Sequence, residues 1–186
     1  MQVRIRRASL WVASAAFAAL ALTGALRAST AVERYEQLGI SFEYPSSWFV
    51  TSEPLSAARD PDYRFAASTV PVRRTRRDIG PCLPGIARQL PRNGALVFLR
   101  EYRGASRRRA LPRLDPMPRR FSLTPGFTCG FHLHGAPHIP FGRGDAISFR
   151  EARRALILFV WVGPTATNAT ERELRRLVAS LEIRPR

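Results

Sequence analysis

Lysine is absent. All 30 basic residues are arginine, set against 14 acidic residues for a formal net charge of +16. A bias that reaches every basic position reads as a coding preference for arginine as much as a selected binding surface, so charge alone carries little inference. Even with Arg4, Arg6, Arg7 and Arg27 set aside, arginine exceeds acid by about 12, and such a surface associates with polyanions at low ionic strength. Cysteine is limited to two residues and histidine to three. The short signatures of catalysis are missing too. There is no G-x-S-x-G, no H-E-x-x-H, no phosphate loop and no G-x-G-x-x-G, and the carboxylates are scattered singly, so spacing offers no acid/base pair. A non-catalytic protein without a cofactor is expected. No internal repeat is visible.

Charge is also missing from residues 8–26, a run set apart by its apolar composition. It follows Arg4, Arg6 and Arg7, is rich in alanine and leucine, and contains Trp11 and Phe17. A secretory apolar core spans about 7–15 residues and a membrane helix needs about 18–20, so residues 1–31 are expected to be a signal peptide or an N-terminal membrane anchor. Leu26-Arg27-Ala28 and Ser29-Thr30-Ala31 offer small-residue cleavage sites, and no cysteine follows to carry a lipid. Either reading makes the protein extracytoplasmic, secreted or tethered to the membrane. Residues 32–186 then suit one domain, long enough to bury roughly two-thirds of its unfolded surface.

What is present is strand pattern. Ile40, Phe42 and Tyr44 alternate with Ser41 and Glu43, the period of a half-buried strand. Pro45 cannot donate to a ladder, and Ser46 and Ser47 favour a turn, so the chain is expected to reverse there into Trp48-Phe49-Val50 as a strand, turn, strand unit. Residues 32–37 read as a polar lead. Residues 95–102 form a long apolar strand after the Asn93-Gly94 turn. Residues 155–162 form a near-continuous apolar run, expected of a central strand covered on both faces, with a hairpin at 150–154 joining it to 146–149. Cys82, Ile86 and Leu90 have the spacing of a short helix with Pro84 in its first turn. Residues 103–120, rich in arginine and proline, are expected to be a loop. Residues 121–133 resume strand character around Thr128-Cys129-Gly130-Phe131. The final helix is marked by a capping box of Thr170 and Glu173 and by Leu174, Leu177, Val178 and Leu181 at i, i+3, i+4 and i+7, with a short strand at 181–183 after it. The fold class expected is α+β, a mainly antiparallel sheet flanked by helices, with the C-terminal helix packed on it.

Three constellations bear on chemistry. Cys82 and Cys129, in an exported chain, are expected to pair as a disulfide, with two buried thiols as the alternative; the long loop so closed contributes about 3–4 kcal/mol by chain entropy. His132, His134 and His138 have metal-like spacing, since i and i+2 share a strand face. A real site would also need Asp145 or Glu151, and surface or structural histidines are the simpler reading. Arg73, Arg74, Arg76 and Arg77, together with Arg107, Arg108, Arg109 and the pair Arg119-Arg120, are candidates for gripping anionic envelope polymers or lipid headgroups. Aromatics are not interleaved with them, so specific nucleic-acid readout is not expected. Asn168-Ala169-Thr170 fits a glycosylation sequon, but Thr170 reads better as the helix cap.

The opening Gly39-Ile40-Ser41-Phe42-x-Tyr44-Pro45-x-x-Trp48 and the closing Leu174-x-x-Leu177-Val178-x-Ser180-Leu181-x-Ile183 resemble Mog1/PsbP-like α-β-α sandwich domains of exported bacterial proteins. The resemblance covers residues 39–48 and 171–183, and its motif specifies a fold rather than an activity. It implies accessory or binding work and carries over no catalytic residue. The arginine-rich segment departs from the common pattern.

Overall fold

The two most apolar stretches of the chain sit side by side. In the computed structural model, which describes residues 31–79, 83–118, 120–125 and 142–186, β5 (Ala95–Glu101) and β8 (Arg154–Val162) pair antiparallel from Ala95↔Val162 to Glu101↔Leu156. Every residue of both is buried, as expected for strands covered on both faces. Around them β3 (Phe49–Thr51), β4 (Asp62–Ser68), β6 (Thr124–Pro125) and β7 (Arg143–Glu151) complete a six-stranded sheet of order β3-β4-β5-β8-β7-β6. Strand alternation splits the apolar side chains in two. Val97, Leu99, Leu156, Leu158 and Val160 enter one core, and Leu96, Phe98, Ile157, Phe159 and Trp161 enter the other. The architecture is α+β and mainly antiparallel.

The first core is closed by α3 (Asn168–Ala179) and by a small sheet of β1 (Val32–Gln37), β2 (Ile40–Pro45) and β9 (Glu182–Ile183), in the order β1-β2-β9. Leu174, Leu177 and Val178 line the buried side of α3, as their spacing requires. Its cap differs from expectation. Thr167 is the N-cap, its hydroxyl accepting from the Thr170 N–H at 3.2 Å, so Thr170 lies one turn inside. Glu173 accepts instead from Nε1 of the buried Trp48 at 3.1 Å. Ile40 and Phe42 point inward, with Phe42 4.4 Å from Phe65 between ring centroids. Burying each such side chain contributes about 1.5–3 kcal/mol.

The small sheet corrects two sequence expectations. The polar lead at 32–37 is strand β1, paired with β2 along its length through a two-residue turn whose Leu38 and Gly39 have φ of 53° and 72°. The chain also does not fold back at Pro45 as a hairpin. β1 takes one edge of β2 along its length, β9 takes the other at Ile40 and Ser41, and the Ser180 hydroxyl bonds the Glu43 N–H and carbonyl, while β3 joins β4 in the large sheet. The Pro45–Trp48 turn is thus a crossing between sheets, closed by a Trp48 N–H to Pro45 carbonyl bond of 2.8 Å.

The second core is covered by α1 (Pro84–Ala87), by Leu55, and by the partly buried Val70, Val72 and Tyr102. Ile86 and Leu90 are buried there, but the helix covers only Pro84–Ala87, so Leu90 lies beyond it, and Cys82 is outside the described residues. The arginine-rich segment at 103–120 is not simply loop. It holds α2 (Gly104–Ala110) and a 3-10 turn, Leu111–Arg113. Between Gly104 and Pro112 there is no proline, and alanine and arginine are good helix formers, so two turns of surface helix form although none of its residues is buried. Beyond it a strap runs along β7. Arg150 donates its N–H to the Asp115 carbonyl at 2.8 Å, and Thr124 and Pro125 pair with Gly144 and Arg143. No helix among the described residues is long and apolar enough to cross a membrane. The export segment expected at 1–31 falls outside them except for Ala31.

Candidate anion-binding surface

Asp78 organises the segment that carries the first arginine cluster. Its side chain is fully buried, and both oxygens are saturated. Oδ2 accepts from the Thr75 N–H at 2.8 Å and from the Thr75 hydroxyl at 2.7 Å, while Oδ1 accepts from the N–H groups of Gly85 at 2.7 Å and Ile86 at 3.2 Å. One carboxylate therefore closes the turn at 75–78 and satisfies the first amides of α1, donors that a helix start leaves unpaired. Gly85 makes the approach possible, since a Cβ there would lie 1.9 Å from Thr75 Oγ1 and 2.6 Å from Asp78 Oδ2.

The other end of the segment is clamped by a side-chain amide. Gln89 accepts the Arg73 N–H through Oε1 at 3.1 Å and donates through Nε2 to the Arg73 carbonyl at 2.7 Å. Between these anchors Arg73, Arg74, Arg76 and Arg77 are exposed, and no carboxylate among the described residues pairs with any of them. Guanidinium groups on a held backbone bind carboxylate or phosphate oxygens in a two-pronged fashion and lose less entropy than groups on a free loop.

The second cluster is arranged differently. Arg107, Arg108 and Arg109 occupy successive positions of α2, so they fan around the helix rather than converge. Arg107 is engaged, donating from Nη2 to the Arg153 carbonyl at 2.7 Å. No hydrogen bond or ion pair among the described residues joins the two clusters, and they ride on separate elements.

A buried charge network that the sequence analysis missed lies at the end of β5. Glu101, at the end of β5, accepts Arg64 Nε at 2.6 Å and lies within 2.8 Å of Arg154 Nη2 and 3.2 Å of Arg186 Nη2. Burial raises its pKa, but hydrogen bonds from Arg154 and Arg64 and their positive charge together outweigh that and hold it below the ordinary glutamate value. Beside it Arg100 is fully buried, donating from Nη2 to the carbonyls of Ala58 and Pro61, and burial lowers its pKa. These residues lie far apart along the chain. The one signal available was a charge at the end of an otherwise apolar strand run, at 100–101 and at 154.

Cys82, Cys129, His132, His134, His138 and Arg119 lie outside the described residues. Asp145 and Glu151 sit near opposite ends of β7, roughly 20 Å apart at about 3.3 Å per residue, so they do not share one site. Asp145 accepts from the Ala146 N–H at 2.8 Å. No group of metal-binding side chains occurs among the described residues. Comparison with protein-family models, with curated proteins and with solved structures found no match.

Proposed function

We propose that this is an exported, non-catalytic binding module of the Mog1/PsbP-like sandwich type, and that the segment at 73–77 is its contact for polyanionic envelope material. The observation that carries the reading is the double anchorage of that segment, by Asp78 and Gln89, beneath four exposed arginines that have no carboxylate partner among the described residues. A coding bias explains why the residues are arginine and not lysine. It does not explain why the backbone beneath them is held at both ends. Phosphate on a polymer and phosphate on a lipid headgroup present the same oxygen chemistry, and the arrangement suits both.

The test is binding of the full chain to polyphosphate and, in a separate arm, to phosphatidylglycerol vesicles, at two salt concentrations. Replacing Arg73, Arg74, Arg76 and Arg77 by glutamine should weaken binding at least about tenfold and flatten its salt dependence. The equivalent change at Arg107, Arg108 and Arg109 should do less. Equal losses from both sets, or none from the first, overturn the assignment. Preference for one arm identifies the source of phosphate.

A further inference from the structure

Among the described residues, the strap at 115–118 and 120–125 pairs with β7 at two places. Pro116 bridges to Arg150, and Thr124 and Pro125 pair with Gly144 and Arg143. Between those points Pro118 cannot donate to a ladder, while Met117, Phe121 and Leu123 pack against the first core. A crevice opens on each side of it. The one facing β7 carries an acid, Asp145. The one facing α3 has a volume of about 560 Å³, within the range of small-molecule sites, and no acidic side chain among the described residues lines it.

The second crevice is divided by polarity. Met117, Phe121, Val178 and Leu181 supply an apolar floor continuous with the first core. Arg120 and Arg175 supply the charge. Arg120 is exposed and has no carboxylate partner among the described residues. Arg175 lies 4.8 Å over the Phe121 ring and donates from Nη1 to the Phe121 carbonyl at 3.1 Å, which fixes its plane and leaves its other N–H donors for a ligand. We propose that this groove binds a single-chain amphiphile with an acidic head, its tail along the apolar floor and its carboxylate or phosphate against Arg120 and Arg175. Charge complementarity selects the acid, because a neutral amphiphile would leave both guanidiniums without a counter-charge. The groove is separate from the segment at 73–77, and the proposal does not depend on the polyanion reading.

The experiment is calorimetric titration of the full chain with decanoate, decyl phosphate and decanol, each below its aggregation limit. Saturable binding of both acids is expected, with decanol at least about tenfold weaker and the acids losing affinity as salt is added. Ala179→Trp fills the groove from an exposed helix position and should abolish binding. Arg120→Gln, a change at an exposed position, should narrow the gap between decanoate and decanol. Glutamine at Arg73, Arg74, Arg76 and Arg77 should leave decanoate binding intact, which separates this site from the polyanion surface. The proposal is overturned if the natural chain does not bind decanoate saturably, if decanol binds equally well, or if folded Ala179→Trp binds as the natural chain does.

Discussion

Arg154 meets Glu101 in a two-pronged pair, Nη2 lying 2.8 Å from Oε2 and Nε 3.1 Å from Oε1. Its Nη1 reaches the Leu38 carbonyl at 3.1 Å and those of Gly39 and Arg184 at 3.4 Å. The first residue of β8 thereby ties the turn of the small sheet and the backbone after β9 to the large sheet. Because Glu101 also pairs with Arg64, its removal leaves the buried Arg154 without a counter-charge among the described residues and Arg64 with Asp62 alone, 2.9 Å from its Nη1. Glu101→Gln should cost about 3–5 kcal/mol, measured as a lower urea midpoint in a chain that still shows native circular dichroism. A loss below about 1 kcal/mol would mean that the network is solvated.

The same glutamate sets an acid limit. Its folded pKa lies below its unfolded value, so it contributes stability that is fully present above the unfolded pKa and declines as pH falls through the folded one. Urea midpoints of the natural chain should fall as pH drops below the ordinary glutamate range of about 4.3. Those of Glu101→Gln should fall less, the two curves converging at low pH. Parallel curves would assign the acid sensitivity to other carboxylates.

The hairpin between β7 and β8 turns on Ala152 and Arg153, with φ of 48° and 60°, and neither residue is glycine or asparagine. The left-handed region costs an ordinary residue about 1–2 kcal/mol. Ala152→Asn with Arg153→Gly should therefore raise the midpoint by an amount equivalent to about 1–2 kcal/mol, while the Arg107 bond to the residue 153 carbonyl, a backbone acceptor, survives. An unchanged midpoint would show that the turn relaxes.

Gly85 is the position where a single methyl should separate the arginine segment from its anchor. Gly85→Ala places a carbon against Thr75 and Asp78, and should cost about 1–3 kcal/mol and weaken polyphosphate binding without removing any arginine. Full retention of both would mean that the Asp78 hub is dispensable.

At the start of α3, Thr167→Ala should cost about 1 kcal/mol, since it removes the hydroxyl that accepts the Thr170 N–H. Thr170→Ala should cost clearly less. The reverse order in thermal unfolding would restore Thr170 as the cap.

The contrast at that helix shows what local pattern conveys. The repeat of Leu174, Leu177 and Val178 identified the helix and its buried side, because periodicity follows from helical geometry wherever the helix sits. The cap was read one turn late, because Thr167 and Thr170 are both good capping residues and Glu173 matched the box. Tertiary packing took Glu173 away to serve Trp48. The segment at 103–120 differs for a related reason: its three prolines argue against a helix, yet they fall outside the seven residues that form α2.

By itself the sequence determined the central strands, the inward side of β2, the last helix and the α+β class, since each follows from a continuous apolar run or from an apolar period of two or of about 3.6 residues within one stretch. Tertiary structure alone decided that β2 and β3 part into different sheets, because ladder edges are claimed by strands distant in the chain. It likewise decided that Arg64, Glu101 and Arg154 converge, that Asp78 anchors the arginine segment, and that the strap leaves a groove against α3. Charges and cavities of this kind depend on distances between residues far apart in the chain, and no local period records them.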